Sequence, residues 1–564
     1  MRCIARLVLF FVFIACQFSI ADSHVKEFMI DEDGQQHDAS RITSTSKKPN
    51  ILLILADDVG TGDIPHYWGN NIVQMPNIEA LQKKGVTFMD AHATPLCAPS
   101  RYMLLSGNYA HRGRYPQGAW GFKEKDGSNF DRKQKTMAQM LKNAGYRTTM
   151  YGKWHLGGEI PQPGTLNKTH ILSGGGNDWS NPITNGPNDY GFDESYFTMA
   201  GIQTPPYSFF RDGYLTTSME DVKWWKTGRS KPANKNGKSR VGKAGEGDKY
   251  WDSTEYNMRL VQETNDFLAN HNTTDPFFIY FAMGAVHTPH SPAQTYLDGT
   301  KIAGTYNTSH LDLLHEMDLV VGSLTSMLED QGLIEDTIII FASDNGGLVE
   351  GSSSGKLRGK KSSIYEGGHR VPLIMRYDNI LPAGETRDNL VGLNDLYATI
   401  ADLAGTRVPD RSAQDSISFA SHAISESNAS PREWLGTWAF QMGKTSREAI
   451  RYGHMKLVRI LRASANPTYE MYNLSEDIGE KKNLLKRKFR TNEINELKTM
   501  MRKYLRREGP CPADHKGSFK NAKNKWVTCD FFKAYPVACE WQVQGELFCN
   551  SICGRHRNFC PLYV

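Results

Sequence analysis

The stretch "NILLILADDVG", from Asn50 to Gly60, decides the fold. Its apolar residues run without alternation, the pattern of a strand buried on both faces. Two aspartates follow at once, as at the carboxyl edge of a parallel sheet. "YRTTMYGKWHLG" (Tyr146 to Gly157), "PFFIYFAMGAVHTPH" (Pro276 to His290) and "TIIIFASDNGG" (Thr337 to Gly347) repeat the design. Between them lie the helical patterns "NIEALQKKG", "TMAQMLKNAG" and "LLHEMDLVVGSLTSMLEDQG", whose closing glycines Gly85, Gly145 and Gly332 suit left-handed C-caps. Alternating strand and helix predicts a mainly parallel sheet flanked by helices, with ligands beyond the carboxyl ends of its strands. Asp57, Asp58, Lys153, His155, His287, Asp344 and Asn345 should then meet on one rim. A lone aspartate after a strand is commonly a helix cap and a lone histidine a satisfied polar residue, but seven such groups at four strand ends point to a site.

The chain has 564 residues, 39% of them hydrophobic, more than one core holds, since single cores stop growing near about 250–300 residues. We expect the α/β domain over 48–411. The pattern weakens from Ser412 to Pro431, a candidate linker, and a smaller α+β domain follows over 432–508, through "YGHMKLVRI" and "YEMYNLSED" to a basic amphipathic helix with Ile494, Leu497, Met501 and Leu505 on one face. Two surface excursions interrupt the large domain: 161–187, rich in Gly, Asn and Pro, and 223–249, rich in Lys, Arg and Gly, either a solvated loop or a polyanion holder. The 66 basic and 61 acidic residues give no reason to expect a nucleic-acid partner.

Residues 1–21 have the marks of a signal peptide: Arg2 and Arg6, an apolar run from Leu7 to Ala15, and small residues at Ser19-Ile20-Ala21. That run is shorter than the roughly 20 residues that span a bilayer, so no stable membrane anchor is expected. Residues 22–47 form a polar leader. Sequons at Asn167, Asn272, Asn307, Asn428 and Asn473 fit an extracellular route. Cys3 and Cys16 leave with the signal, while Cys511, Cys529, Cys539, Cys549, Cys553 and Cys560 crowd a tail over 509–564. In an oxidising compartment those six suggest three disulfides; Cys549, Cys553 and His556 also offer the donors of a zinc site. Cys97 is left alone.

Asp57, Asp58, Asp344 and Asn345 offer only oxygen, which suits calcium or magnesium. Arg101, Lys153, Lys361 and the two histidines add cationic or protonatable groups, provided "GKLRGKKSSIYEGGHRVP" folds back to the rim. A cation ringed by basic side chains suits a tetrahedral oxyanion, sulfate or phosphate. A cysteine nucleophile paired with His155 or His287, or a buried structural thiol, are both open readings of Cys97. Neither explains a thiol beside hard-metal oxygens.

Cys97-Ala-Pro99-Ser100-Arg101, three further residues and then Leu105-Ser106-Gly107 resembles the signature of the sulfatase family, of the alkaline-phosphatase superfamily. "LADDVG", "AGYRTTMYGKWHLG", "HTPHSP", "SDNGG", "LRGKKSSIYEGGHRVP" and "DLYATIADLAG" resemble family motifs in family order over about Pro49 to Gly405, and "YEMYNLSED" resembles the family's smaller domain. The resemblance implies an alkaline-phosphatase-like fold and hydrolysis of an aryl sulfate or sulfated carbohydrate in a secreted or lysosomal protein. It also implies conversion of Cys97 to formylglycine by a formylglycine-generating enzyme in the endoplasmic reticulum. Asp57, Asp58, Asp344 and Asn345 would bind one Ca2+ together with an oxygen of residue 97. Arg101 and Lys153 would stabilise the formylglycine and the sulfate, His155 would deprotonate the aldehyde hydrate, and His287, helped by Lys361, would protonate the leaving alcohol. Lys361 is preferred to Lys360 because it stands four residues before Tyr365. A phosphate ester hydrolase on the same scaffold and a non-catalytic matrix or carbohydrate-binding protein are the alternatives.

Overall fold

A computed structural model of the chain describes residues 47–504 apart from 69–71, 115–126, 131–133, 161–178, 227–240, 272–273, 350–352, 426–429, 442–444, 463–464 and 487–490. Beyond these it describes four short strands, Phe28–Ile30 paired with Gln36–Asp38 and Phe519–Lys520 paired with Trp526–Val527. The expected signal peptide lies outside the described residues, as do the leader and the cysteine tail apart from those strands.

Ten strands form one sheet: β1 (Asn50–Ala56), β2 (Val86–Phe88), β3 (Arg147–Lys153), β4 (Glu194–Thr198), β5 (Phe210–Arg211), β6 (Tyr214–Leu215), β7 (Phe277–Ala282), β8 (Thr337–Ser343), β9 (Leu373–Arg376) and β10 (Glu385–Arg387). Their order is β10-β2-β9-β8-β1-β7-β3-β4-β5-β6. The block β8-β1-β7-β3-β4 is parallel; β9, β5 and β6 join antiparallel, and the edge strand β10 is parallel to β2. Ile51 on β1 stands opposite Ile338 on one side and Phe278 on the other. The sheet is therefore mixed and mainly parallel, as the four apolar runs require.

Helices α1 (Pro76–Lys84), α2 (Cys97–Ser106), α3 (Met137–Asn143), α4 (Tyr256–Asn270), α5 (Ser309–Asp330) and α6 (Asp395–Leu403) cover the sheet. Ile51, Leu53 and Leu55 pack into the core that takes Leu104 and Leu105 of α2, Leu141 of α3 and Ile400 of α6. Leu52, Ile54 and Ala56 face the opposite way, toward Ile78 of α1, Leu260 of α4 and Leu324 of α5. Burying one such Leu or Ile stabilises by about 1.5–3 kcal/mol, and β1 does so on both faces. Gly145 and Gly332 stand at positive φ, 87° and 66°, after α3 and α5. Gly85 does not: its φ is −137°, and a Cβ there would lie 2.2 Å from the Met375 carbonyl oxygen. It is glycine because β9 passes against it.

Strands β11 (Trp434–Gln441), β12 (Thr445–Tyr452), β13 (Met455–Arg462) and β14 (Ala465–Asn473) form a smaller antiparallel sheet, accompanied by α7 (Thr491–Tyr504). Leu435, Trp438, Ile450, Leu457, Leu497 and Met501 join the same core as the α2 side of the large sheet. Leu505 lies outside the described residues.

A buried ion pair anchors this junction. Arg432, 1% exposed, gives Nε to Asp395 Oδ2 at 2.9 Å and Nη2 to Asp395 Oδ1 at 2.5 Å, with further bonds to the Asp415 carbonyl at 2.6 Å and the Tyr109 hydroxyl at 3.1 Å. Arg432→Met leaves the buried Asp395 without its ion-pair partner, so it should cost about 3–5 kcal/mol. Urea unfolding should show this as a lower midpoint, and an unshifted midpoint would contradict the assignment.

Candidate active site

Four adjacent parallel strands bring their ends to one rim. β1 runs into Asp57 and Asp58, β3 ends in Lys153 with His155 two residues on, β7 leads to His287, and β8 runs into Asp344 and Asn345. Asp58 and His155 leave their strands at positive φ, 66° and 57°. Non-glycine residues adopt such angles at a cost of about 1–3 kcal/mol, a strain that clusters at functional sites. Helix α2 places Cys97 at its first position and Arg101 one turn on. No side chain caps this helix at Leu96; instead the buried Ser100 hydroxyl donates to the Leu96 carbonyl at 2.9 Å and accepts from the Thr94 amide at 2.9 Å. Ser100 thereby fixes the turn that presents Cys97, a role local pattern did not reveal.

The basic groups are tied to the acidic ones. Lys153 Nζ donates to Asp57 Oδ2 at 2.5 Å; Arg101 gives Nε and Nη2 to Asp344 Oδ2 at 3.1 and 2.7 Å and Nη1 to the Lys153 carbonyl at 2.9 Å. The "GKLRGKK" segment does fold back. The Lys361 amide donates to the Gly347 carbonyl at 2.9 Å and the Ser362 amide to the Pro95 carbonyl at 2.8 Å. Lys361 Nζ then lies 3.3 Å from Cys97 Sγ and pairs with Asp58, whereas Lys360 is exposed. His287 Nδ1 donates to the Thr288 carbonyl at 2.5 Å, leaving Nε2 to face Asp58 Oδ2 at 3.6 Å.

Burial works against ionising Cys97, but Lys153, Lys361 and hydrogen bonds from His155 and His287 hold its thiol well below the ordinary value. Burial, with Lys153 and Arg101, pushes His155 down to about 4. Burial also opposes the charged form of His287, yet Asp58 and Asp57 raise it above the ordinary value. Burial and then the Asp57 charge push Asp344 up to about 7.

The ligand atoms of Asp57, Asp58, Cys97 and His287 all lie within 4.8 Å of one another. Asp57 Oδ1, Asp58 Oδ2 and Asn345 Oδ1 are buried without a hydrogen-bond partner. Orphaned buried oxygens are costly. Three of them, all hard donors among mutually repelling carboxylates, fit a calcium ion.

A second buried cluster, His92, Glu366 and His369, has the same compactness. Lys456 Nζ, however, sits 2.9 Å from Glu366 Oε1 and 3.2 Å from His369 Nε2, and His92 pairs with His369 at 3.0 Å between their Nδ1 atoms and with Asp90 at 2.8 Å through Nε2. Arg370 and Arg451 close the network on Asp90. It is an ion-pair lock between the "EGGHR" stretch behind Lys361 and the smaller sheet. Its members lie too far apart in sequence for spacing to reveal it.

The sequence model described as Sulfatase matches residues 49–406, and that described as N-sulphoglucosamine sulphohydrolase, C-terminal, matches 359–507. An N-acetylgalactosamine-6-O-sulfatase of Bacteroides thetaiotaomicron is 29% identical over 490 residues, covering 78% of this chain and 90% of its own. The N-acetylgalactosamine-6-sulfatase of Canis lupus familiaris is 31% identical over 383 residues, covering 64% of this chain and 63% of its own length. A solved Bacteroides thetaiotaomicron structure, described with that organism's metabolism of multiple glycosaminoglycans, superposes with a TM-score of 0.67 at 26% identity, over 81% of this chain and 99% of that one. With the family match spanning the large sheet and every strand end that forms the rim, the chain belongs to the sulfatase family.

Proposed function

We propose that the chain hydrolyses sulfate monoesters of a carbohydrate, with residue 97 in its formylglycine form and one Ca2+ held by Asp57, Asp58, Asp344, Asn345 and residue 97. The observation that carries this reading is the buried Cys97 at the start of α2, ringed by Lys153, Lys361, His155 and His287, with three orphaned oxygens behind it. Carbohydrate is preferred because the relatives named above act on sulfated amino sugars. The aldehyde hydrate supplies the attacking hydroxyl, and calcium supplies fixed positive charge beside the transferring group.

The remaining roles fall to this chain's own side chains. Arg101 and Lys153 stabilise the formylglycine and the bound sulfate with their charge. His155, neutral at working pH, accepts the proton from residue 97. His287 and Lys361 stand on the leaving-group side, and His287 Nε2 gives a proton to the departing oxygen. The N-terminus of α2 adds its dipole to the same field. The domain limits 48–411 and 432–508, the signal peptide 1–21, the disulfide tail 509–564, passage through the endoplasmic reticulum and maturation by a formylglycine-generating enzyme complete the proposal. Among the described residues no helix is long and apolar enough to cross a membrane.

Mass spectrometry of the peptide containing residue 97, from chain made in a eukaryotic secretory pathway, tests the reading. It should show the mass of an aldehyde. An intact thiol throughout active enzyme would sink it.

A further inference from the structure

Between the end of β7 and the start of α5 the chain crosses the rim, and residues 284–293 carry His287. Both ends of that segment are held by one buried pair of side chains. The Gly284 amide donates to Asn257 Oδ1 at 2.9 Å, Asn257 Nδ2 donates to Glu316 Oε1 at 2.8 Å, and the Ala293 amide donates to Glu316 Oε2 at 3.0 Å. Asn257 is the second residue of α4 and Glu316 lies in α5; they are 3% and 1% exposed. The two helices thus grip the segment through a continuous run of three hydrogen bonds, with both carboxylate oxygens of Glu316 engaged.

The grip passes directly to His287. Its amide donates to the Gly284 carbonyl at 3.0 Å, so the imidazole stands on a turn closed over the residue Asn257 holds. The Val286 amide and the Ala285 carbonyl bond the backbone of Asp57 at 2.6 and 2.9 Å, which ties the same turn to β1. Gly284 also lies close against α4: a Cβ there would lie 2.9 Å from the Tyr256 ring, so the turn passes where a side chain would not fit.

We propose that Asn257 and Glu316 are positioning residues for His287, setting the reach of its Nε2 to the leaving oxygen. This rests on the reading of His287 as the proton donor. Donation matters in proportion to the basicity of the leaving group: an acidic nitrophenol departs as its anion, whereas a basic alcohol needs the proton. A donor misplaced by about 1 Å costs on the order of 10²-fold.

The test is a series of aryl sulfates whose phenols range from strongly to weakly acidic, turned over by the purified full chain. Asn257→Leu removes both of its bonds at similar volume; Glu316→Gln keeps shape and one accepting oxygen and serves where the first variant folds poorly. In each we expect kcat on the least acidic phenol to fall by about 10²-fold and on 4-nitrophenyl sulfate by less than about threefold, with KM little changed. His287→Ala should steepen the leaving-group dependence in the same way, and adding Asn257→Leu to it should cost nothing more. An equal loss across the series, or additive losses in the double variant, overturns the positioning role. A His287→Ala series without steepening overturns the reading of His287 itself, and this inference with it.

Discussion

Cys97→Ala should lower kcat/KM for a chromogenic aryl sulfate by at least about 10⁴-fold while the chain still folds. The loss follows from chemistry rather than packing. Residue 97 stands where Lys153, Lys361, His155 and His287 converge, and on the proposed reading it supplies the oxygen that attacks sulfur. Folding should survive because the cations keep their other partners: Lys153 has Asp57, Lys361 has Asp58, and Arg101 has Asp344. Circular dichroism and thermal unfolding close to the parent, with no sulfate release, is the expected pair of results. Cys97→Ser sharpens the test. One hydroxyl can displace the alcohol, but without a second there is no easy way to shed the sulfate, so a burst of at most one alcohol per chain should precede arrest. Sustained turnover in either variant would place the nucleophile elsewhere.

Asp58→Asn, or exhaustive chelation of the parent, should lower kcat/KM by about 10²–10³-fold, the scale on which fixed charge at a transferring group acts. Asp58 Oδ2 and Asp57 Oδ1 are buried without donors while Asp58 Oδ1 already faces Asn345 Nδ2 at 2.8 Å and Lys361. A hard dication satisfies those lone pairs, and calcium should therefore also stabilise the fold. At 100 times its Kd, added Ca2+ should stabilise the chelated parent by about 2.7 kcal/mol. The same addition should shift Asp58→Asn far less. A calcium-independent melting curve for the parent would falsify the metal assignment.

The rim was legible in sequence because each of its strands is written as one uninterrupted run, so the first polar residues after it mark the edge of the sheet. Asp57, Lys153, His287 and Asp344 are located that way, by local pattern alone. Strand order is not local: β1 pairs with strands that begin at Phe277 and Thr337, and no periodicity in Asn50–Ala56 states which. Gly85 shows the same limit on a smaller scale. A helix followed by glycine describes both a left-handed cap and a close backbone approach, and the distinction lies in β9, far downstream. Asn257, Glu316 and the lock around Glu366 stayed hidden because their meaning is a partner rather than a pattern. Lys361 was reachable only through its spacing to Tyr365; its contact with Cys97 depends on two backbone bonds made to Gly347 and Pro95.

The order of the sheet also sets a clock. Cys97 is only 5% exposed in the finished fold, inside a helix whose core neighbours include Leu53 and Ile340. On the proposed reading, an enzyme that converts its side chain would have to meet it before strands pack around it. The central strand β1 has both of its neighbours only once β8 is made, and β8 ends at Ser343. From residue 97 to that point about 250 residues must be made, roughly 12–50 s of synthesis at about 5–20 residues per second. On that reading, a central strand whose neighbours are encoded so late would keep the cysteine within reach during translation, before the same neighbours bury it.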